Sequence, residues 1–414
     1  MQLIESLNRT VKLALDDGTA GSVEEAEQLF RSFDVQLVVG RDVQHSQALQ
    51  AALVTLLNAA PRTFLGEVTV MGELSFKLDI GWWRGEALRD VVRRFGVACT
   101  RSLHRRPSIL IGDCAGTRIG HEFQLRLGLT SRGFVLSPDS LPAIPTSKNI
   151  AAAVAAAGAA LNECFQFLYF RRPWAGQREI EFELPGGALP SKSSPSSIWV
   201  VGLGHVGQAF LWCTGLHATL GLPTPMLRLQ DFDRVTASGL STGLLTCSAD
   251  VGHLKAEVAA REMRKTGARC AVALERADPA RPPPPDADLS IVAVDSFGFR
   301  RKLDGLGRLR IIEGGIGDGT RGFTQVQIHS LPGQRTAADI WCGADPAATR
   351  QISISAPAYQ NLLRDTRDEC GTTQLAGRAI ATPFVGAFLA ALMYCIAVGG
   401  SPDRDSLAFD VNNL

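Results

Sequence analysis

Apolar and polar positions alternate in a regular order through the second half of the chain. Short apolar runs that predict buried strands begin at Ile198 (IWVVGLG) and Met226 (MLRLQDFD), and further runs read CAVALE, LSIVAVD, RIIEGGI and FTQVQIHSL. Amphipathic stretches that predict helices follow the first two strands, one from near His205 and one over residues 253–265. Strands that alternate with helices in this way indicate a parallel sheet that is covered on both faces.

The first half repeats this order in a weaker form. A strand from Phe33 leads through a tight turn into a long helix, and later strands begin at Ser108 (SILIGD) and Gly133 (GFVLSPD). An apolar helix from Asn149 closes this half, much as the run TPFVGAFLAALMYCIAV closes the second. The parallel predicts a degenerate duplication, in which two α/β domains of one fold follow each other along the chain.

A segment rich in Gly, Pro and Ser separates the two halves. Its sequence, GGALPSKSSPSS, spans residues 186–197 and is nearly free of large apolar side chains. Such a composition is typical of linkers. We therefore predict a first domain over residues 1–185, a linker over 186–197 and a second domain over 198–414.

The composition excludes some classes of function. The 414 residues carry a net charge of +1, with 45% hydrophobic and 20% charged residues. This balance is ordinary for a globular protein and provides no basic stripe for a phosphate backbone, so we expect no nucleic-acid partner. The uncharged run 379–398 contains Pro383, and the helix that it permits is short for a bilayer. We expect a buried helix there and no membrane partner.

The nine cysteines are scattered singly along the chain. They form no CxxC pair, so a structural zinc ion is not expected. An odd number of cysteines and a charged N-terminal segment without a signal-peptide pattern suit a reducing cytoplasm. The expected location is therefore cytoplasmic.

The strand from Ile198 ends in a G-x-G-x-x-G turn formed by Gly202, Gly204 and Gly207. Glycines at this spacing let the backbone approach a phosphate closely, and the helix that follows directs its N–H groups toward the anion. Asp231 and Asp233 end the next strand, where an acid can accept hydrogen bonds from ribose hydroxyls. These residues predict a nucleotide site, and on their own they would equally suit a nicotinamide-dependent oxidoreductase.

The matching turn of the first half, GRDVQH from Gly40, has lost the second and third glycines. We therefore expect no nucleotide in that half.

The residues after the glycine turn extend the pattern. DFDRVTASGLSTGLL begins at Asp231, VGHLKAEVAAREM contains Lys255, and IVAVDSFGFRRK contains Asp295. In this order and at this spacing the second half resembles the ubiquitin-activating enzymes and their relatives ThiF and MoeB. The resemblance implies a Rossmann-like ThiF/MoeB adenylation fold, here in a degenerate duplication, with an inactive first half.

The resemblance also implies a role for each matched residue. Asp231 would bind the ribose of ATP, and Asp233 would support it or its magnesium ion. Lys255 would reach the phosphates, and Asp295 would help to hold Mg²⁺ near the α-phosphate. Family members also take an arginine from the partner domain, and Arg9, which lies 31 residues before Gly40, is the candidate for that role.

One segment departs from the family pattern. Where the family has SNLNRQ, this chain has SGLSTG over residues 238–243, and the position of the family arginine falls on Thr242. Either another arginine enters the site or the nucleotide chemistry is weakened.

A cysteine motif precedes the closing helix. CGTTQLAG, from Cys370, resembles the C-T-x-T-x-x-G stretch that carries the thioester cysteine in autophagy-type activating enzymes. A reactive thiolate needs exposure and a favourable local field, which Arg367 or Arg378 could supply, and the neighbouring Thr hydroxyls could steady an oxyanion. Cys342 is the alternative nucleophile. We interpret the cysteines in apolar runs as core residues.

The resemblance implies ATP-dependent activation of a ubiquitin-like protein through its C-terminal Gly tail. A thioester on Cys370 and transfer to a conjugating enzyme would follow. The composition suggests a bacterial protein, and by analogy an anti-phage conjugation pathway. The first half would take the place of a second subunit, and a homodimer stays open. The alternatives are adenylation of a sulfur-carrier protein without a thioester, a non-catalytic scaffold, and the oxidoreductase.

Overall fold

The computed structural model contains two sheets, one in each half of the chain. Each sheet has seven strands within the part of the chain that the structure describes. The residues described are 6–102, 105–114, 117, 121–139, 148–185, 195–221, 224–343, 354–399 and 405–414.

The first half forms a sheet with helices on its faces. Its strands are Val35–Val39 (β1), Val68–Gly72 (β2), Ala98–Cys99 (β3), Ser108–Ile111 (β4), Gln124–Leu129 (β5), Gly133–Ser137 (β6) and Ile180–Glu183 (β7). Its α-helices are Lys12–Asp16 (α1), Val23–Arg31 (α2), Gln47–Thr63 (α3), Leu88–Arg94 (α4) and Ile150–Leu168 (α5).

The second half has the same layout with more short helices. Its strands are Ser197–Val201 (β8), Met226–Gln230 (β9), Cys270–Ala273 (β10), Leu289–Val292 (β11), Arg310–Ile316 (β12), Gln325–Leu331 (β13) and Ser406–Asp410 (β14). Its α-helices are His205–His217 (α6), Lys255–Lys265 (α7), Phe297–Arg300 (α8), Gly319–Gly322 (α9), Ala337–Ile340 (α10), Pro357–Thr366 (α11), Glu369–Ala376 (α12) and Pro383–Gly399 (α13).

The strand order is identical in the two sheets. It reads β3-β2-β1-β4-β5-β6-β7 in the first and β10-β9-β8-β11-β12-β13-β14 in the second. The first five strands of each order pair in parallel and the last two pair antiparallel. An order of 3-2-1-4 around a first strand that ends in a turn to a helix is that of Rossmann-like folds. The predicted duplicated α/β fold is confirmed.

The two closing helices, α5 and α13, pack against each other at the centre of the molecule. Asn149 caps α5 by accepting a hydrogen bond from the N–H of Ala152 at 3.0 Å. A Cβ at Gly158 would lie 2.5 Å from the carbonyl oxygen of Phe384, so a glycine is needed where the two backbones approach. The small residues of α5 therefore let two helices from different halves share one apolar core, which extends through both sheets.

The two closing helices can also be compared with the expectation that residues 379–398 form a buried helix. The apolar run 379–398 folds mainly as α13, whose residues are buried, as expected. Helix α5 is long and apolar enough to cross a bilayer, but 94% of its most apolar window is buried inside the protein. Both helices pack as core helices do. Of the predicted linker, residues 186–194 lie outside the described residues, and Ser197 already belongs to β8.

Candidate active site

The glycine turn lies between β8 and α6, and each glycine meets a different environment. Gly202 has φ +86°, and a Cβ there would lie 2.6 Å from the carbonyl oxygen of Ala293. A Cβ at Gly207 would overlap the carbonyl oxygen of Gly202. Nothing lies within 4 Å of a Cβ built at Gly204, the residue before α6. Gly202 and Gly207 are thus required by the backbone itself, whereas Gly204 leaves open space at the helix N-terminus, where an anion is favoured.

Asp231 shapes this turn. Its Oδ2 accepts a hydrogen bond from the N–H of Leu203 at 2.6 Å, and its Oδ1 accepts one from the N–H of Asp233 at 2.8 Å. The side chain is buried at the end of β9. Both carboxylate oxygens therefore accept hydrogen bonds from backbone N–H groups, a role that the sequence did not reveal. The ribose contact implied for Asp231 stays a prediction.

Asp233 lies next to Asp231 and pairs with Lys255. The Lys255 ammonium is 3.0 Å from Asp233 Oδ2, and the Lys255 N–H donates to the Asp233 carbonyl at 2.9 Å. The Asp233 side chain is half-exposed, and Lys255 begins α7. Asp295, just after β11, is also exposed. The structure therefore brings an ammonium and two accessible carboxylates to the carboxyl edge of the second sheet.

Arg9 reaches this edge from the first half. Its N–H donates to Ser241 Oγ at 3.1 Å. Burial lowers the pKa of Arg9, and Arg378 lowers it further, whereas Asp295 and Asp233 raise it. Arg9 therefore lies within electrostatic range of all three residues. The contact with Ser241 brings Arg9 of the first half against the second half, and its role in catalysis stays a prediction.

The segment that departs from the family pattern forms a tight turn over Ser238–Ser241. Thr242, which is buried, follows the turn, and its uncharged side chain supplies no cation at this position. A guanidinium reaches the turn from elsewhere, because Arg378 Nη1 donates to Ser238 Oγ at 2.8 Å. Sequence reasoning placed Arg378 only beside Cys370. The contact with Ser238 crosses 140 residues, and no local signal announces it.

Arg62 of the first half holds the same loop. It donates to the carbonyl oxygens of Leu240 and Thr246, and its Nε donates to Asn58 Oδ1 at 2.9 Å. Burial lowers the pKa of Arg62 to about 10. Because its guanidinium is used by backbone and amide acceptors, Arg62 fixes the loop rather than facing a ligand.

His205 is the first residue of α6, and its ring packs against α13. A Cβ at Gly386 would overlap the ring at Nε2, so this glycine makes room for it. Burial lowers the pKa of His205 to about 4, with a further decrease from the nearby Arg9 charge. The ring is therefore neutral at neutral pH and takes up space at the start of the helix.

Cys370 is exposed and is the second residue of α12. Asp368 caps this helix by accepting from the N–H of Gly371 at 2.9 Å, and Gln374 Nε2 donates to the Cys370 sulfur at 3.4 Å. Thr373 is exposed beside the thiol, whereas Thr372 is buried. The Cys370 thiol is therefore accessible to solvent at the start of a helix.

Other cysteines differ in burial. Cys164, Cys213 and Cys395 are buried, and burial raises the pKa of each thiol, as the core interpretation expects. Cys342, the alternative nucleophile, is exposed. Exposure alone therefore does not choose between Cys342 and Cys370.

The corresponding turn of the first half is closed by its own side chains. Asp42 Oδ1 accepts a hydrogen bond from the N–H of Asp113 at 2.6 Å. A Cβ at Gly112 would overlap the same carboxylate, so Asp42 packs directly on this backbone. A carboxylate occupies the turn where the second half has Gly204, which opposes binding of a phosphate there.

The site also fits a magnesium ion. Mg²⁺ is usually held by one or two carboxylates together with substrate phosphates. Asp295 and Asp233 offer such carboxylates, and both lie close enough to Arg9 to affect its pKa. Among the residues that the structure describes, no cluster of three or more His, Cys, Asp or Glu side chains could hold a metal ion by itself.

Comparisons with known proteins cover almost the whole chain. A family model described as the BilD N-terminal domain matches residues 34–184, and one described as the BilD C-terminal domain matches 194–399. The bacterial E1-like protein BilD of Collimonas sp. (strain OK412) is 33% identical over 413 residues, covering 94% of this chain and 87% of the relative.

Two solved structures from E. coli share parts of the architecture. MccB with MccA-N7isoASN is 15% identical, covers 51% of this chain and 60% of its own, and has a TM-score of 0.34. The tRNA N6-threonylcarbamoyladenosine dehydratase TcdA is 18% identical over 49% of this chain and 84% of its own, with a TM-score of 0.30. The assignment of this chain to a family rests on the sequence matches.

Proposed function

Because the chain belongs to the BilD family of bacterial E1-like proteins, we propose that it activates a ubiquitin-like protein with ATP and holds it as a thioester on Cys370. The observation that carries the proposal is the grouping of Lys255, Arg9, Asp233 and Asp295 beside an open glycine turn. Cations there would stabilise the negative charge that develops on the phosphates during adenylyl transfer.

The second half would hold ATP through contacts at several elements. The α6 N-terminus and the open space at Gly204 suit the phosphates. Asp233, which is half-exposed, suits the ribose, while Asp231 keeps the turn in shape. Phe232 offers an exposed ring for the base, and the Arg276 guanidinium stacks on it at 4.4 Å from its centroid.

In the first step a carboxylate oxygen of the C-terminal Gly tail attacks the α-phosphorus of ATP. The bond to the β-phosphate oxygen breaks, and pyrophosphate leaves. Lys255 and Arg9 would balance the charge, and Asp295 would hold Mg²⁺, which would neutralise phosphate oxygens when bound. Much of the rate would come from holding the two reactants in line, because the residues act by position and charge.

In the second step the Cys370 thiolate attacks the acyl carbon of the adenylate. The carbon–oxygen bond to AMP breaks, AMP leaves with the electron pair, and the thiol proton passes to solvent. The exposed position of Cys370 in the first turn of α12 supports this role. We further propose that a conjugating enzyme accepts the thioester in a cytoplasmic, anti-phage pathway of bacteria.

The test is ATP–pyrophosphate exchange with a candidate ubiquitin-like protein that ends in Gly, using the wild type and Cys370→Ala. We expect exchange in both and an adduct that thiols cleave only in the wild type, because adenylation does not need the sulfur. Cys342→Ala is the matched control, since Cys342 is also exposed, and it should keep the adduct.

Each other outcome selects a different function. Exchange in both proteins without an adduct would favour adenylation of a sulfur carrier. Binding of the partner without exchange would favour a scaffold, since SGLSTG over residues 238–243 contains no arginine. Binding of a nicotinamide cofactor, followed by its fluorescence, would favour the oxidoreductase.

A further inference from the structure

The cations around the glycine turn come from three different parts of the chain. Lys255 belongs to the second half but is paired with Asp233. Arg9 comes from the first half. Arg378 follows α12 and reaches the turn over Ser238–Ser241. A bound triphosphate carries several negative charges, so the number of cations that can face it matters for affinity.

A single short turn holds both arginines. Arg378 Nη1 donates to Ser238 Oγ at 2.8 Å, and Ser238 is fully buried. Ser241 Oγ donates to the Ser238 carbonyl at 2.7 Å and accepts from the Arg9 N–H at 3.1 Å. The turn therefore fixes the two guanidinium-bearing residues relative to each other.

The two arginines lie close enough to repel. Arg378 lowers the pKa of Arg9, in a partly buried position where solvent screens little. Asp295 and Asp233 offset part of this repulsion. Arg9 Nε is buried and has no hydrogen-bond partner among the described residues. Paired cations with an unused buried donor are stabilised by a bound anion.

Other buried arginines nearby do not fit this role. The Arg62 guanidinium is used by Asn58 and by the carbonyl oxygens of Leu240 and Thr246. Arg300 pairs with Glu313 of β12 at 2.6 Å. Arg378 differs because it contacts the same short turn that holds Arg9, through Ser238 Oγ.

We propose that Arg378 binds the triphosphate of ATP together with Arg9 and supplies the cation that residues 238–243 lack. The inference rests on the proposed function and assigns a new residue to that site. Arg378 also follows the helix that carries Cys370, and its N–H donates to Leu375 at the end of that helix at 3.1 Å. The triphosphate would thus be bound by the segment that carries the thiol.

The test is equilibrium binding of ATP and of AMP, each with Mg²⁺, to the full chain. Arg378→Ala should weaken ATP binding by about 10- to 100-fold, the usual effect of losing a charged hydrogen bond. AMP binding should change by less than about threefold, because AMP lacks the β- and γ-phosphates. Arg378→Gln keeps a donor for Ser238 without the charge and should show the same selective loss, whereas Arg378→Lys should retain part of the affinity.

Arg364→Ala is the matched control, because Arg364 is exposed on α11 and contacts Asn361. It should leave both affinities unchanged. Equal losses of ATP and AMP binding in Arg378→Ala, with normal affinities in Arg378→Gln, would show that Arg378 only supports the Ser238 turn and would overturn the inference. Unchanged ATP affinity would overturn it as well. If the wild type bound neither nucleotide, the proposed function itself would fail.

Discussion

The two halves of the chain fold into sheets of one strand order, yet they differ at the turn that follows the first strand. In the second half, Gly204 leaves open space before α6. In the first half, the Asp42 carboxylate fills the equivalent place and accepts from the Asp113 N–H. The fold therefore tolerates either a cavity or a carboxylate at this turn. We therefore expect phosphate binding to be separate from the fold, so that one residue can remove it.

The largest expected effect comes from moving that residue between the halves. Gly204→Asp places a carboxylate where the first half has Asp42, in space that nothing else occupies within 4 Å of the new Cβ. We expect ATP binding to fall by about 100-fold through repulsion, and the free energy of unfolding to change by less than about 1 kcal/mol. Titration with ATP and urea unfolding measure the two quantities.

Gly204→Ala is the control, since it adds a Cβ without charge. Its loss of ATP affinity should be smaller than that of Gly204→Asp. Unchanged ATP affinity in Gly204→Asp would mean that the phosphates do not lie at this turn, and the contrast between the halves would lose its functional meaning.

The next largest effect is that of acidic pH, which we expect to destabilise the second half through a buried histidine. In the first half the buried polar residues of α3 are Gln50, Thr55, Asn58 and Thr63, which do not titrate. In the second half, His217 ends α6, stacks on Tyr394 at 4.0 Å and bonds the Cys213 carbonyl through Nδ1 at 2.9 Å. Burial lowers the pKa of His217 to about 4.

The unfolded chain binds a proton at His217 below about pH 6.5, whereas the native state resists it to about pH 4. Stability should therefore fall as the pH drops through this window. At pH 5 the His217 ring lowers the free energy of unfolding by about 1 to 2 kcal/mol relative to neutral pH. His217→Gln should flatten the dependence of the urea midpoint on pH. His121→Gln is the control in the first half, and because His121 is only half-buried, this variant should change the dependence less. Equal slopes in the wild type and His217→Gln would contradict this assignment.

The smallest effect is expected for the two aspartates, Asp42 and Asp231, whose carboxylates accept hydrogen bonds from backbone N–H groups. Asp42→Ala leaves the Asp113 N–H without its acceptor and should cost about 1 kcal/mol of unfolding free energy, with no change in ATP affinity. Asp231→Ala frees the N–H groups of Leu203 and Asp233 and should lower both stability and ATP affinity. Calorimetry with and without ATP distinguishes the two. Loss of ATP binding in Asp42→Ala would break the comparison, because the first half would then take part in nucleotide binding.

The parts of the fold that the sequence predicted are those with strong local patterns. The strands from Ile198 and Met226 and the closing helices are continuous apolar runs, and the structure confirms them. Strands β2, β3, β5, β7 and β14 were not predicted. Of these, β3 has two residues and β14 is half-exposed along its length. Such strands are stabilised by a neighbour that is distant in sequence, which a local pattern does not contain.

The candidate site divides in the same way. The glycine spacing and the Lys255 position follow from neighbours in sequence, and the structure brings Lys255 to Asp233. The contact of Arg378 with Ser238 joins residues that are 140 positions apart, so a local sequence pattern could not predict it. The orientation of Asp231 toward Leu203 depends on backbone angles in the turn and was equally out of reach.

The packing of α5 against α13 has a consequence for the gene. Because Gly158 and Phe384 lie in direct contact across the two halves, a product truncated before α13 would expose the apolar side of α5 to water. A late nonsense mutation should therefore be as harmful as an early one, and the two halves are expected to be inherited as one reading frame. A substitution that unfolds the first half is therefore expected to lower the amount of folded second half through the same contact.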